Sequence, residues 1–178
     1  MSHISTGVEY ALHCLVFLSN RSGEEASAKD LAELQGIPAD YVAKLFTKLS
    51  KAGLVRATEG VRGGFALARA PAAISVLEVV DAIDGGKPLF ECREVRQRCA
   101  VFEGNEPDWT GVPPCTIHAV MLSAEQRMRE ELGSHTLADL VQRVIAVTPP
   151  SYNQAVVRWL DGRAASKHKA QNKRPDNA

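Results

Sequence analysis

Apolar residues recur at helical spacing through the first fifty positions. Val8, Ala11, Leu12, Leu15 and Leu18 fall on one stripe behind Ser5 and Thr6, either of which can cap a first helix. Ser27 precedes Ala28-Lys29-Asp30-Leu31-Ala32-Glu33-Leu34, with Asp30 three positions on as the acid of a capping box, so a short second helix is predicted. Gly36-Ile37-Pro38 breaks it. Pro38 suits the first position of a third helix, where Tyr41, Val42, Leu45, Phe46 and Leu49 continue the amphipathic pattern, and Gly53 supplies a left-handed cap. The period then changes: Leu54-Val55-Arg56-Ala57-Thr58 and Phe65-Ala66-Leu67-Ala68 read as two short strands around Glu59-Gly60-Val61-Arg62-Gly63-Gly64, a hairpin with a basic tip. Ser75 caps a fourth helix from Val76 to Ile83, stopped by Gly85-Gly86.

Residues 90–114 carry no clear periodicity, and a loop of that length is uncommon unless functional. Residues 115–132 then read as a helix of about five turns, with Ile117, Val120, Met121, Ala124 and Met128 along one face. Thr136 opens another through Leu137, Leu140, Val141 and Val144. The long helix is the candidate dimer element. From Ala165 onward the chain is rich in Lys, Asn and Ala with almost no large apolar residue, which predicts a disordered tail. The expected fold is mainly α with a small β wing.

Helix, short helix, Gly/Pro turn, longer helix and Gly-tipped hairpin is the order of a winged helix-turn-helix, whose second paired helix enters the DNA major groove. Net charge is no guide, because Lys plus Arg and Asp plus Glu each number 21. Its distribution is informative. Between Tyr41 and Arg69 stand Lys44, Lys48, Lys51, Arg56, Arg62 and Arg69 against Glu59 alone, a patch suited to a polyanion. The third helix is thus the candidate recognition helix. Its first turn (Ala39, Asp40, Tyr41) and Lys44 are expected at base edges or nearby phosphates, with Lys48 along the same helix. Arg62 is expected in the minor groove, and Ser27 sets a helix N-terminus at a phosphate. Taken alone, the lysines read as the solvated side of an amphipathic helix, the commoner fate of lysines so spaced; the turn and the wing favour DNA.

No run reaches the roughly 18 apolar residues of a membrane span, and the first residues lack the basic start of a signal peptide, so a cytoplasmic location is expected. In a reducing cytosol Cys14, Cys92, Cys99 and Cys115 read as thiols or ligands rather than disulfides. Three of them are spaced Cys92-x6-Cys99-x15-Cys115, the last at the mouth of the long helix. Thiolates suit iron–sulfur clusters, and a helix N-terminus stabilises negative charge. A structural zinc site lacks its C-x2-C pair, and half-buried unliganded cysteines are the plain alternative. Glu9 and His13 are four apart on the first helix, so they share a face and can bind one iron, or form an ordinary solvent-facing pair. Cys14 lies about 100° further round and is expected in the core. His118 follows Cys115 at C-x2-H spacing and is a rival nitrogen ligand.

Ala32-Glu33-Leu34, Tyr41-Val42-Ala43-Lys44-Leu45-Phe46, Gly53-Leu54-Val55 and Arg62-Gly63-Gly64-Phe65-Ala66-Leu67 together resemble the Rrf2 family of bacterial regulators, over about residues 1–145. The resemblance implies a homodimer of two winged helices joined by a long C-terminal helix, regulated by an iron–sulfur cluster at the dimer interface. Gly7-Val8-Glu9-Tyr10-Ala11-Leu12-His13-Cys14 is similar to members in which a Glu and a His at this spacing join two cysteines of the other subunit around a [2Fe–2S] cluster, which is favoured here over [4Fe–4S]. Family members often space the last two of three cysteines more closely; here residues 101–113 separate Cys99 from Cys115, so either Cys92 or Cys99 can accompany Cys115. The implied division is 1–86 for DNA binding, 87–147 for the cluster loop and dimerisation helix, and 148–178 for a C-terminal extension. Two-fold symmetry predicts a palindromic operator, and the implied signal is redox state or nitric oxide. The alternatives are a clusterless family regulator controlled by thiol oxidation or a partner protein, and an enzyme using His13 or His118. The last lacks any placeable nucleophile, base and oxyanion arrangement.

Overall fold

A computed structural model describes residues 3–21, 24–58, 63–112 and 114–171. Helix α1 (Thr6–Ser19) is followed by α2 (Ala28–Gln35) and α3 (Ala39–Lys51). The Ser27 hydroxyl accepts from the Asp30 amide at 3.2 Å, starting α2, and Gly36 ends it at φ 68°, where a side chain would be strained. Pro38 stands one position earlier than expected, as the N-cap of α3. Strands β1 (Val55–Ala57) and β2 (Phe65–Leu67) pair antiparallel with Arg56 opposite Ala66. Ala26 and Phe65 exchange backbone hydrogen bonds, which fastens the wing to the start of α2. That approach needs Gly64, where an added Cβ would lie 3.1 Å from the Ala26 carbonyl oxygen. The tip, residues 59–62, lies outside the described residues.

Ser75 and Glu78 form a reciprocal capping box that opens α4 (Val76–Asp84). Residues 95–111 contain only short 3-10 turns, in keeping with the missing periodicity. They lead into α5 (Thr116–Ser134) and α6 (Leu137–Val147). Leu15, Leu31, Phe46, Leu49, Leu54, Ile74 and Val79 are fully buried in one core, completed by Leu137 of α6. The core therefore draws on residues well past position 86.

A seventh helix, α7 (Pro150–Gln171), was not expected, and it runs beyond the point near 165 where composition predicts disorder. Val156 and Leu160, one turn apart, enter the same core. The Arg21 guanidinium, almost wholly buried, bonds Asp161 of α7 at 2.7 Å and the Glu25 carbonyl, while Arg163 stacks on Trp159 and pairs with Glu33 of α2. Helix α5 is the opposite case. None of its residues is buried, and Ile117 and Val120 are 65% and 62% exposed. Each such side chain gains about 1.5–3 kcal/mol on full burial, so α5 carries an apolar face awaiting a cover.

Candidate functional site

Helix α3 turns Val42, Leu45, Phe46 and Leu49 into the core, which leaves Ala39, Asp40 and Lys44 exposed on its outer side. Lys44 has no partner among the described residues, as a phosphate ligand requires. Tyr41 and Lys48 do have partners. The Tyr41 ring meets Tyr10 of α1 edge to face, centroids 5.9 Å apart at 87°. A Cβ at Gly7 would come within 3.0 Å of the Tyr41 hydroxyl, so α1 and α3 approach closely here. The Lys48 ammonium donates to the Ile83 carbonyl at 2.6 Å, where the negative end of the α4 dipole holds it. Ser27 is the N-cap of α2, beside the exposed Lys29. Arg62 lies outside the described residues.

The thiols divide into three environments. Cys14 is fully buried, and although Gln35 donates to its sulfur at 2.9 Å, burial pushes its pKa up to about 12. It stays a neutral core thiol, as its position on α1 predicts. Cys99 is exposed between two 3-10 turns. Cys92 and Cys115 are half-buried and line one cavity of about 520 Å³, with Arg96 and the apolar Phe90, Trp109 and Ile117. Cys99 does not line it. Of the two readings left open by the spacing, the structure thus brings Cys92, not Cys99, to the cavity of Cys115.

Cys115 is also the N-cap of α5, its sulfur accepting from the His118 amide at 3.3 Å. That bond fixes the Cys115 sulfur at the positive end of the helix. His118 packs its ring on Phe90, centroids 6.0 Å apart, next to the cavity rather than in its lining. Glu9 and His13 are both exposed on α1 and have no partner among the described residues. Within one chain they do not meet the cysteines: among the described residues no three His, Cys, Asp or Glu side chains converge to hold a metal. The donors nevertheless fit a shared cluster, with two thiols lining one cavity and an unpartnered imidazole and carboxylate one helical turn apart. Arg96, which lines the cavity with the thiols, belongs to no motif that would mark it in the sequence.

A short capped helix, a glycine turn, an exposed-faced third helix and a β-hairpin clamped to the start of the second define a winged helix-turn-helix protein. The chain belongs to the Rrf2 family, whose model, described as iron-dependent transcriptional regulator, matches residues 4–143. It is 32% identical to the HTH-type transcriptional regulator IscR of Xenorhabdus nematophila over 82% of this chain and 76% of that one. It is 30% identical to protein rrf2 of Nitratidesulfovibrio vulgaris over 78% and 87%. Among solved structures it resembles CymR, the global cysteine regulator of B. subtilis, at TM-score 0.60 and 26% identity, covering 80% of this chain and 98% of CymR. T. potens IscR gives TM-score 0.60 and 25% identity, covering 85% and 95%. The protein is therefore a DNA-binding transcriptional regulator and not an enzyme. No described helix is long and apolar enough to cross a membrane. Helix α7 begins beyond the matched region.

Proposed function

We propose that this regulator works as a homodimer on a palindromic operator and senses redox state or nitric oxide through an iron–sulfur cluster between its subunits, in the manner of the redox sensor RsrR. One observation carries the reading: Cys92 and Cys115 share a cavity at the mouth of α5, the helix with the uncovered apolar face. Pairing two α5 helices buries Ile117 and Val120, and brings each cysteine pair toward a second chain. Glu9 and His13 of that chain complete a four-ligand set. When bound, a [2Fe–2S] cluster supplies a one-electron change, at a potential that nitrogen ligation raises above that of all-thiolate centres.

The protein's own part is transmission. Tyr10 sits between Glu9 and His13 on α1, and its ring abuts Tyr41 in the first turn of α3. The start of α1 is tied to the end of α4 by two Ser5–Asp84 hydrogen bonds, and α4 to α3 by Lys48. A displacement of α1 at Glu9 and His13 is thereby carried to Ala39, Asp40 and Lys44. His118, adjoining the cavity, is an outer-layer residue in this reading.

The test is iron and sulfide content, with the electron paramagnetic resonance of the reduced state, in anaerobically purified protein. Cys92→Ala and Cys115→Ala should abolish the cluster and Cys99→Ala should keep it. Glu9→Ala and His13→Ala should leave a cluster with altered spectra. Loss in Cys99→Ala with retention in Cys92→Ala overturns the assignment, and unchanged spectra in both Glu9→Ala and His13→Ala return the fourth-ligand role to His118. The exposed Cys99 thiol, with the likeness to CymR, favours one second reading: a clusterless regulator switched by thiol oxidation. A colourless anaerobic protein whose operator affinity responds to peroxide supports that instead.

A further inference from the structure

Arg96 joins the two walls of the cysteine cavity. Its Nε and Nη2 groups donate to the two oxygens of Glu94 at 2.6 and 2.9 Å, which fixes the guanidinium plane. The same Nη2 reaches the Val112 carbonyl at 3.3 Å, three residues before Cys115. The segment carrying Cys92 is thus fastened to the segment carrying Cys115 by one side chain. Glu94 holds its position with a left-handed backbone, φ 44° and ψ 59°, a conformation non-glycine residues keep only where surrounding contacts hold them. Nη1 has no hydrogen-bond partner among the described residues, and Arg96 lines the cavity with both thiols. The Arg96 pKa lies above its ordinary value, first from the Glu94 hydrogen bond, then from the Glu94 charge and the nearby thiols of Cys115 and Cys92.

We infer that Arg96 is a positioning residue for the thiol pair: it clips the Cys92 segment to the Cys115 segment and turns its remaining donors on the anionic sulfur group those thiols hold. Arginine suits this because it cannot lose its proton and commits only part of its fork to Glu94 and Val112. A lysine retains the charge but cannot bridge both walls. The clip concerns the protein alone; the electrostatic half rests on the cluster reading above.

Two readouts test it in the full-length chain. In metal-free protein carrying Cys99→Ser, a short bifunctional thiol reagent that fluoresces only on bridging should join Cys92 to Cys115. Arg96→Gln should slow bridging severalfold at unchanged circular dichroism and thiol count, and Arg96→Lys should slow it also. Bridging at the wild-type rate in Arg96→Gln overturns the clip. In cluster-loaded protein, Arg96→Gln should move the reduction potential to more negative values, because a positive charge that favours the added electron is gone, whereas Arg96→Lys should lie closer to wild type. A potential that is unmoved or more positive in Arg96→Gln overturns the electrostatic role. If wild-type protein takes up no cluster, the proposed function and that role fall together, and the bridging result still decides the clip.

Discussion

Lys44 and Lys48 are one turn apart on α3, and the sequence treats them alike, but the structure predicts opposite consequences for their removal. Lys44 is exposed and without a protein partner among the described residues, so in the DNA complex its ammonium is available to a phosphate. Lys44→Ala should lower the slope of log affinity against log salt by about 0.9 for each phosphate ion pair removed, and by twice that in a symmetric dimer. Its folding stability should change by less than about 0.5 kcal/mol, as at an ordinary surface position. Lys48 is bonded to the Ile83 carbonyl at the end of α4. Removing that bond should cost about 0.5–1.5 kcal/mol and lower the melting temperature by roughly 2–4 °C per kcal/mol. The salt slope should stay at its wild-type value. Fluorescence anisotropy on an operator duplex at several salt concentrations, with thermal melts of the same preparations, gives both numbers. If Lys48→Ala flattens the salt slope as much as Lys44→Ala and melts like wild type, the Lys48–Ile83 bond does not hold in solution and the division of labour along α3 is wrong.

Leu160→Ala should destabilise the fold by about 2–4 kcal/mol through a core cavity, while Val147→Ala, at a position 81% exposed, should be nearly silent; equal melts would detach α7 from the core. Cys14 should resist alkylation at pH 8 while Cys99 reacts first, as peptide mapping of labelled protein can show. With the folded pKa of Cys14 raised from 9.0 to about 12, the unfolded chain loses its proton first. Stability should therefore be intact below about pH 9 and fall as pH climbs toward 12, by at most about 1.4 kcal/mol per unit, and Cys14→Ala should remove that part of the slope in denaturant titrations. Tyr10→Ala should leave cluster content unchanged and narrow the difference in operator affinity between oxidised and reduced protein; an undiminished difference rules out the Tyr10–Tyr41 contact as the link.

The DNA-binding half was readable because its signals are local. Ser27 and Ser75 cap the helices they precede, Gly36 and Gly53 take the left-handed turns, and the period changes at Leu54. The contacts of Tyr41 and Lys48 were not readable, because on an amphipathic helix the border of the polar face looks the same whether water or another helix lies opposite. Here α1 and the end of α4 lie opposite. Helix α7 was hidden amid polar residues such as Asn153, Gln154 and Arg158, although Val156, Trp159 and Leu160 have the i, i+3, i+4 spacing that marks a buried stripe. The grouping of three cysteines in an aperiodic segment was legible, but periodicity is silent on which of them meet. The meeting rests on tertiary contacts with no sequence signature, among them Arg96 reaching across from Glu94 to Val112 and Phe90 packing on His118.

If the state of a cluster held by Cys92 and Cys115 sets the affinity for DNA, one sample can show it. The operator dissociation constant of cluster-loaded protein is measured anaerobically before and after stoichiometric reduction, with Cys115→Ala carried through the same steps. The expected result is a measurable shift in the wild type, reversed on reoxidation, and none in Cys115→Ala. Equal affinities for oxidised and reduced wild type, or the same shift in the cluster-free variant, would contradict cluster control of DNA binding.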